Sequence, residues 1–307
     1  MDYINAKFVS QKISKTRWRP VSSSSLQQPD IFATGSWDNE ENKLSLWSVG
    51  ELGLSSMEED MEGDPQLLCD IRHKGDVLDL STLSVSQLWD RAHHYPCDSA
   101  PCTGVVCNSP EIVTVGEDGR IILFRVDHKS ILRTIENADS STIHAVTFLR
   151  TTEVLTVNSI GQLKLWDFRQ QGNDPVQILY LTGDRVPLHS VDRHPNQQHI
   201  VATGGQDGML CIWDVRHGSI PFSLMEAHSA ESGRNASVIS RGGVPQAIGN
   251  QSLTSSWLSG DSSKGHLETT HMLPSQTLSV NSLDVLGQCL VCGTDGEAIY
   301  VNRHVPV

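Results

Sequence analysis

The chain has 307 residues, 38% of them hydrophobic, with 24 glycines and a net charge of −13, which suits one all-β domain rich in turns. The acidic balance argues against a general nucleic-acid binder, since phosphate contact needs a basic field. No apolar run reaches the roughly 18 residues of a membrane span. Residues 1–7 lack the basic start and apolar centre of a secretory leader, so the seven cysteines are expected to be reduced and unpaired.

Taken in chain order, the first signal is a short basic run from Lys12 to Arg19 whose charges alternate with Ile13, Thr16 and Trp18. That alternation predicts a strand with one solvated face. The same residues begin a spacing at i, i+3 and i+5 that recurs as Cys102, Val105, Cys107; Ile143, Val146, Phe148; Leu188, Val191, Arg193; and Val280, Leu283, Val285. Each set predicts the innermost strand of a repeat, with the i+3 and i+5 side chains on one face. Pro20 and Pro195 end two of these strands, because proline has no N–H for a ladder.

Second and third strands are expected at Phe32–Trp37 and Lys43–Trp47, Ile112–Val115 and Ile121–Phe124, and Cys289–Cys292 and Ala298–Val301. Tight turns join such pairs at Asp118-Gly119, Gly161, Asp207-Gly208 and Asp295-Gly296, since glycine tolerates the positive φ that hairpin turns require. The middle of the chain states one motif twice. Thr156 to Arg169 and Thr203 to Arg216 each run from a β-rich segment through a glycine turn to a second segment ending in Trp-Asp. Trp166 and Trp213 lie 47 residues apart, the period of a β-propeller blade.

Two intervals break the period. An acidic loop occupies Glu51 to Asp64, and an inner strand starting after His73-Lys-Gly-Asp-Val77 never reaches a turn and a closing strand. After Ala227-His228 the chain becomes rich in serine and glycine, a composition that buries too little apolar surface to offset its ordering entropy. Residues 1–307 are therefore read as a single propeller domain with mobile inserts at 51–65, 81–100 and 229–276.

The Trp-Asp repeats resemble those of the WD-repeat propeller family. The segments Ala6 to Pro20, Ala33 to Asn42, Leu67 to His73, Ala100 to His228 and Leu278 to Val301 look closer still to the small WD-repeat nucleoporins of the Y-shaped nuclear pore scaffold. The resemblance implies an all-β WD-repeat propeller, seven-bladed in the family, with about five recognisable blades here. The bulk of two blades is missing at about Leu80 and after His228, so the ring is expected to be incomplete. It further implies a non-catalytic scaffold subunit of the pore's outer ring, docked on a helical-solenoid subunit of the short arm. Nucleocytoplasmic transport of protein and mRNA, and kinetochore attachment in mitosis, would follow. Neither a cofactor nor direct nucleic-acid contact is implied. Residues Phe8 to Gln11 are expected beside the Ala298–Val301 strand, closing an otherwise open sheet edge.

Most candidate sites read as architecture. Trp47, Trp166 and Trp213, with Phe124 at the corresponding place, are expected to pack in third strands, and Asp167 and Asp214 to hydrogen-bond in turns. His73 and His228 resemble the family's blade-opening histidine, which bonds a turn aspartate through a strand serine or threonine. Cys289 and Cys292 lie three apart in one strand and so face opposite ways, which opposes joint metal binding. His93, His94, Cys97 and Cys102 offer four zinc-type side chains on one loop, without a second CxxC-like pair in support, and are read as incidental. No nucleotide-binding, metalloprotease or nucleophile-elbow signature occurs. The competing function rests on Trp-Asp-x-Arg, present twice and ending at Arg169 and Arg216. It resembles the motif of WD-repeat substrate receptors that dock on cullin–RING ubiquitin ligases.

Overall fold

The computed structural model describes residues 4–21, 28–49, 64–81, 92–128, 130–181, 185–217, 221, 223–226, 237–240, 268–271, 280–303 and 305. Of the inserts expected at 51–65, 81–100 and 229–276, residues 51–63, 82–91 and most of 229–276 lie outside these residues, as does His228. Among the described residues all regular structure is strand. The first strands are β1 (Ile4–Phe8), β2 (Ile13–Trp18), β3 (Ile31–Ser36), β4 (Asn42–Ser48) and β5 (Gln66–His73). Next come β6 (Cys102–Asn108), β7 (Glu111–Gly116), β8 (Ile121–Arg125) and β9 (Arg133–Ile135), then β10 (Ile143–Arg150), β11 (Glu153–Asn158), β12 (Gln162–Asp167) and β13 (Gln177–Tyr180). The chain continues through β14 (Leu188–Arg193), β15 (Ile200–Gly205), β16 (Met209–Asp214), β17 (Ser223–Glu226), β18 (Ser237–Ser240) and β19 (Glu268–His271) to β20 (Val280–Leu286), β21 (Cys289–Thr294) and β22 (Ala298–Asn302).

Five antiparallel sheets of four strands result: β2-β3-β4-β5, β6-β7-β8-β9, β10-β11-β12-β13, β14-β15-β16-β17 and β1-β22-β21-β20, with β18 and β19 as a separate pair. Consecutive strands joined by tight turns, innermost to outermost, are the make-up of a propeller blade. The all-β propeller class and the five blades expected from the sequence are those observed. The blades fall into two compact units, one holding β1–β5 with β20–β22 and the other β6–β17. The first is organised around Ile13, Trp18, Phe32, Trp47, Val291, Ile299 and Val301. The second has two clusters, one around Val113, Ile121, Phe148 and Trp166 and one around Leu155, Leu163, Val201 and Trp213.

The i, i+3, i+5 spacing has a physical origin that alternation alone does not give. In a regular strand i and i+3 face opposite ways, yet every innermost strand carries a register shift just after i: Ile13/Lys15, Cys102/Gly104, Ile143/Ala145, Leu188/Ser190 and Val280/Ser282. The bulge absorbs one residue and returns i to the face of i+3 and i+5. Ile13, Thr16 and Trp18 are accordingly all buried, as are Ile143, Val146 and Phe148. In three of these strands the residue at i+1 reaches a carbonyl of an adjacent segment. The Asn281 side-chain amide donates to Ile13 O at 2.9 Å, and the hydroxyls of Ser14 and Thr103 donate to Val77 O and Ile143 O.

Three features differ in detail from expectation. In β20 the inward residues are Ser282 and Asp284, which accept hydrogen bonds from the backbone N–H groups of Thr16 and Trp18 at 3.1 and 2.7 Å. Leu283 and Val285 do share a face, but it is the exposed one. The strand beside β22 is β1, pairing Ile4 with Asn302 through Phe8 with Ala298, not Phe8 to Gln11. Ser10, at φ +56°, turns the chain away. Finally, the described residues 74–81 hold no strand, and the rest of the inner strand expected after His73-Lys-Gly-Asp-Val77 lies outside the described residues; Val77 is buried, its N–H bonded to Ser36 O at 3.1 Å. It sits against Gly35, where a Cβ would come within 2.4 Å of Val77 Cγ1.

Candidate functional site

The predicted third-strand aromatics occupy equivalent places. Trp47 lies in β4, Phe124 in β8, Trp166 in β12 and Trp213 in β16, all buried. A buried indole N–H needs an acceptor, and the three tryptophans find the same one. Trp47, Trp166 and Trp213 Nε1 each donate to a threonine Oγ1, of Thr34, Thr156 and Thr203 respectively, at 2.9 Å. The threonine stands ten residues before the tryptophan in two repeats and thirteen in the other. The only sequence signal for this partner is the ten-residue spacing, which recurs at Thr114 and Phe124.

Phe124 has no N–H, and its threonine has a different partner. His93 Nε2 lies 2.9 Å from Thr114 Oγ1, and Nδ1 lies 2.9 Å from Asp118 Oδ1. A carboxylate can only accept, so Nδ1 carries the proton and neutral Nε2 accepts from the Thr114 hydroxyl. Asp118 also accepts from the backbone N–H groups of His94 and Arg120 at 3.0 and 3.1 Å. His93 is thus the histidine that opens its blade, a role the sequence reading did not assign to it: both its nitrogens are committed to the fold. His73 has no such role. It is exposed, with Nδ1 3.1 Å from Gly75 O, while Asp76 accepts from Asn42 Nδ2 and Asp38 N–H at 2.9 Å each.

Burial holds the His93 imidazole below its ordinary value of 6.5, with Asp118 offsetting part of the effect. Burial and then His189 also lower His144, whose ring lies 4.5 Å from that of His189. The unfolded chain therefore binds protons below about pH 6.5 that the fold does not. Stability is expected to fall as pH drops through that value, and His93→Gln to flatten the loss. Urea midpoints at pH 7.5 and 5.5 measure it, and an unchanged difference in the variant contradicts it.

In the next blade a carboxylate takes the histidine's place. Asp139 Oδ2 accepts from Lys164 Nζ at 2.8 Å and from Asn158 Nδ2 at 2.6 Å, and Oδ1 accepts from Ser141 N–H and Oγ at 3.0 and 2.9 Å. Burial alone would raise the Asp139 carboxyl, but these donors outweigh it and hold the group below its ordinary range. Nothing in the sequence pattern singled out Asp139, Asn158 or Lys164.

Of the turn glycines, Gly119, Gly161 and Gly208 have φ of +69°, +77° and +78°. At Gly119 a Cβ would also sit 2.0 Å from Asp139 O. Asp207 Oδ1 accepts from Met209 N–H at 3.0 Å across its turn. The last turn is displaced by one residue from the expected position: Glu297, not Gly296, takes the left-handed conformation at φ +55°. Asp295 instead accepts from Trp37 Nε1 at 3.2 Å and Asn281 Nδ2 at 2.7 Å. Left-handed conformation costs an L residue about 1–2 kcal/mol, partly cancelled by glycine's freer unfolded chain. Glu297→Gly is thus expected to gain about 0.5 kcal/mol in urea unfolding; a loss would show that the glutamate side chain holds the turn.

Both Trp-Asp-x-Arg motifs close on themselves. Asp167 Oδ1 accepts from Arg169 N–H and Nε at 2.9 Å, and Oδ2 from Nη2 at 2.8 Å. Asp214 accepts likewise from Arg216 N–H, Nε and Nη2 at 3.0, 3.0 and 2.7 Å. The arginine bonds hold Asp167 and Asp214 well below the usual carboxylate range. Each guanidinium thus gives Nε and Nη2 to an aspartate two residues away, while the arginine side chains stay 66% and 53% exposed. Cys289 and Cys292 are buried in β21, and burial pushes Cys292 up to about 12 and raises Cys289, which makes both thiols poor nucleophiles.

Comparison with known proteins agrees with this geometry. A family described as "WD domain, G-beta repeat" matches residues 175–214, the stretch that contains Thr203 and Trp213. Nucleoporin Nup43 of Homo sapiens and that of Mus musculus are each 56% identical over 378 aligned positions, covering 99% of this chain and 100% of the relative. Nuclear pore complex protein NUP43 of Arabidopsis thaliana is 31% identical over 41% of this chain and 36% of its own length. An alignment of 378 positions against 307 residues leaves the mammalian relatives more than a blade's length of sequence without a counterpart here. The indole–threonine bonds, the Trp-Asp turns and the full-length identity all lead to one family: this chain belongs to the Nup43 nucleoporins, a WD-repeat propeller family.

Proposed function

We propose that this chain is a non-catalytic scaffold subunit of the nuclear pore complex, placed in the outer-ring, Y-shaped subcomplex and docked on a helical-solenoid subunit of its short arm. In that position it would support nucleocytoplasmic transport of protein and mRNA from the nuclear envelope, and would attend kinetochores in mitosis. The carrying observation is the 56% identity to Nucleoporin Nup43 over the whole of both chains. The geometry is in keeping with it: His93, Thr114 and Asp118, and Asp139 with Lys164, direct their hydrogen bonds at one another, which suits a rigid platform that binds by surface complementarity.

Affinity capture of the tagged full chain from nuclear envelope fractions tests the reading. Co-purification of the Y-shaped scaffold, with the short-arm solenoid among the most salt-resistant proteins, is the expected result. Recovery of cullin–RING adaptors without pore scaffold would overturn it. Imaging of the same tag in dividing cells tests the kinetochore role separately.

A further inference from the structure

We propose that β5 is a self-association edge, through which two copies of this chain pair antiparallel about a two-fold axis and extend the sheet β2-β3-β4-β5. β5 is the outermost strand of its sheet, bonded there only to β4. All eight of its residues are exposed, whereas the outer strands β1, β9, β13 and β17 have three to five residues. Leu67, Leu68 and Ile71 are 49%, 52% and 63% exposed. No proline interrupts Gln66–His73, so β5 lacks that guard of a sheet edge, and the register shift in its pairing with β4 falls at Leu68, outside the Asp70–Arg72 stretch.

The charge pattern selects a second copy as the occupant. Asp70 and Arg72 flank Ile71 and lie on one face of the strand. Antiparallel pairing centred on Ile71 sets Asp70 of each copy opposite Arg72 of the other, giving two ion pairs on one face and Ile71 against Ile71 on the other. Opposite charges directly across a ladder attract and like charges repel. Centring on Asp70 sets carboxylate against carboxylate, and centring on Leu68 brings in Pro65, which has no N–H to give. Among the described outer strands β5 alone carries opposite charges two residues apart. Within one copy Asp70 bonds Lys43 at 3.1 Å and Arg72 bonds Glu41. Arg72 is nonetheless 83% exposed, so its remaining donors stay available.

Sedimentation velocity of the full chain at about 100 μM, a concentration suited to a small interface, is expected to show a dimer that weakens with added salt. Arg72→Asp should weaken it by about tenfold or more, since both ion pairs become repulsive. The swap Asp70→Arg with Arg72→Asp should restore it. In the swap the carboxylate at position 72 stands directly across from Lys43, so the strand keeps an internal partner. Circular dichroism of each variant separates misfolding from lost pairing; should Arg72→Asp misfold, Ile71→Lys provides the same test. A monomeric wild type, a dimer indifferent to Arg72→Asp or Ile71→Lys, or a swap no better than the single change would each overturn the proposal.

Discussion

Trp166→Ala is expected to remove about 3–5 kcal/mol of stability from the unit holding β6–β17, the range for deleting a buried large aromatic. Trp166 is 1% exposed and packs among Val113, Ile143, Val146, Phe148 and Val154. It therefore joins the blade of β6–β9 to the blade of β10–β13, and its loss opens a cavity that two sheets must share. The indole also satisfies Thr156 Oγ1, so truncation leaves a buried hydroxyl without that donor. Trp166→Phe separates the two effects. It keeps one ring of packing and removes the N–H with part of the bicycle, for an expected loss of about 1–3 kcal/mol, below that of the alanine change. In the blade with Phe124 the Thr114 hydroxyl donates to His93 and keeps its lone pairs, so its oxygen remains an acceptor for an indole. Phe124→Trp sets that gained bond against overpacking at a 2% exposed site, for an expected change within about 1 kcal/mol either way. Urea midpoints at constant m measure all three variants, and a loss below about 1.5 kcal/mol for Trp166→Ala would contradict the packing argument.

What the sequence disclosed depended on how local the signal was. Trp-Asp endings, glycine turns and apolar alternation lie within a few residues of each other, and they located β7, β8, β11, β12, β15, β16, β21 and β22. Outer strands did not declare themselves: β9 and β13 have three and four residues, too few to show a period. The recurring i, i+3, i+5 spacing was visible, but its cause, the bulge after i, became evident only from the register. Partners were harder than positions. Trp213 is conspicuous, whereas its acceptor Thr203 is one of many threonines. His73 imitates a motif whose work Asp76 performs, while His93 sits in a cysteine- and histidine-containing loop that suggested zinc. Glu297 was hidden because Gly296 beside it is the better turn residue, and only the φ angles show which one bends the chain.

Asp139→Asn is expected to cost about 3–5 kcal/mol, the penalty for breaking a buried ion pair from one side. Side chains of Asp139 and Lys164 are 1% and 11% exposed, so neither charge can turn to water. The substituted amide keeps one oxygen as an acceptor, but Lys164 loses its counter-charge and otherwise bonds Ala138 O at 3.3 Å. The opposite change should be milder, because in Lys164→Met the carboxylate retains Asn158 and both Ser141 donors. The double variant should therefore lose less than the two single losses added, with a coupling of about 0.5–3 kcal/mol. Acid provides an independent test. Since the folded carboxyl lies below its ordinary 3.8, its contribution is present above that value and is lost as pH falls through the folded one. With Lys164 removed, the desolvation that opposes ionisation loses its main counterweight, and the loss should begin at higher pH. Additive single effects, or a Lys164→Met variant whose acid transition coincides with that of the parent, would mean that Asn158 and Ser141 hold the carboxylate and that Lys164 is a bystander.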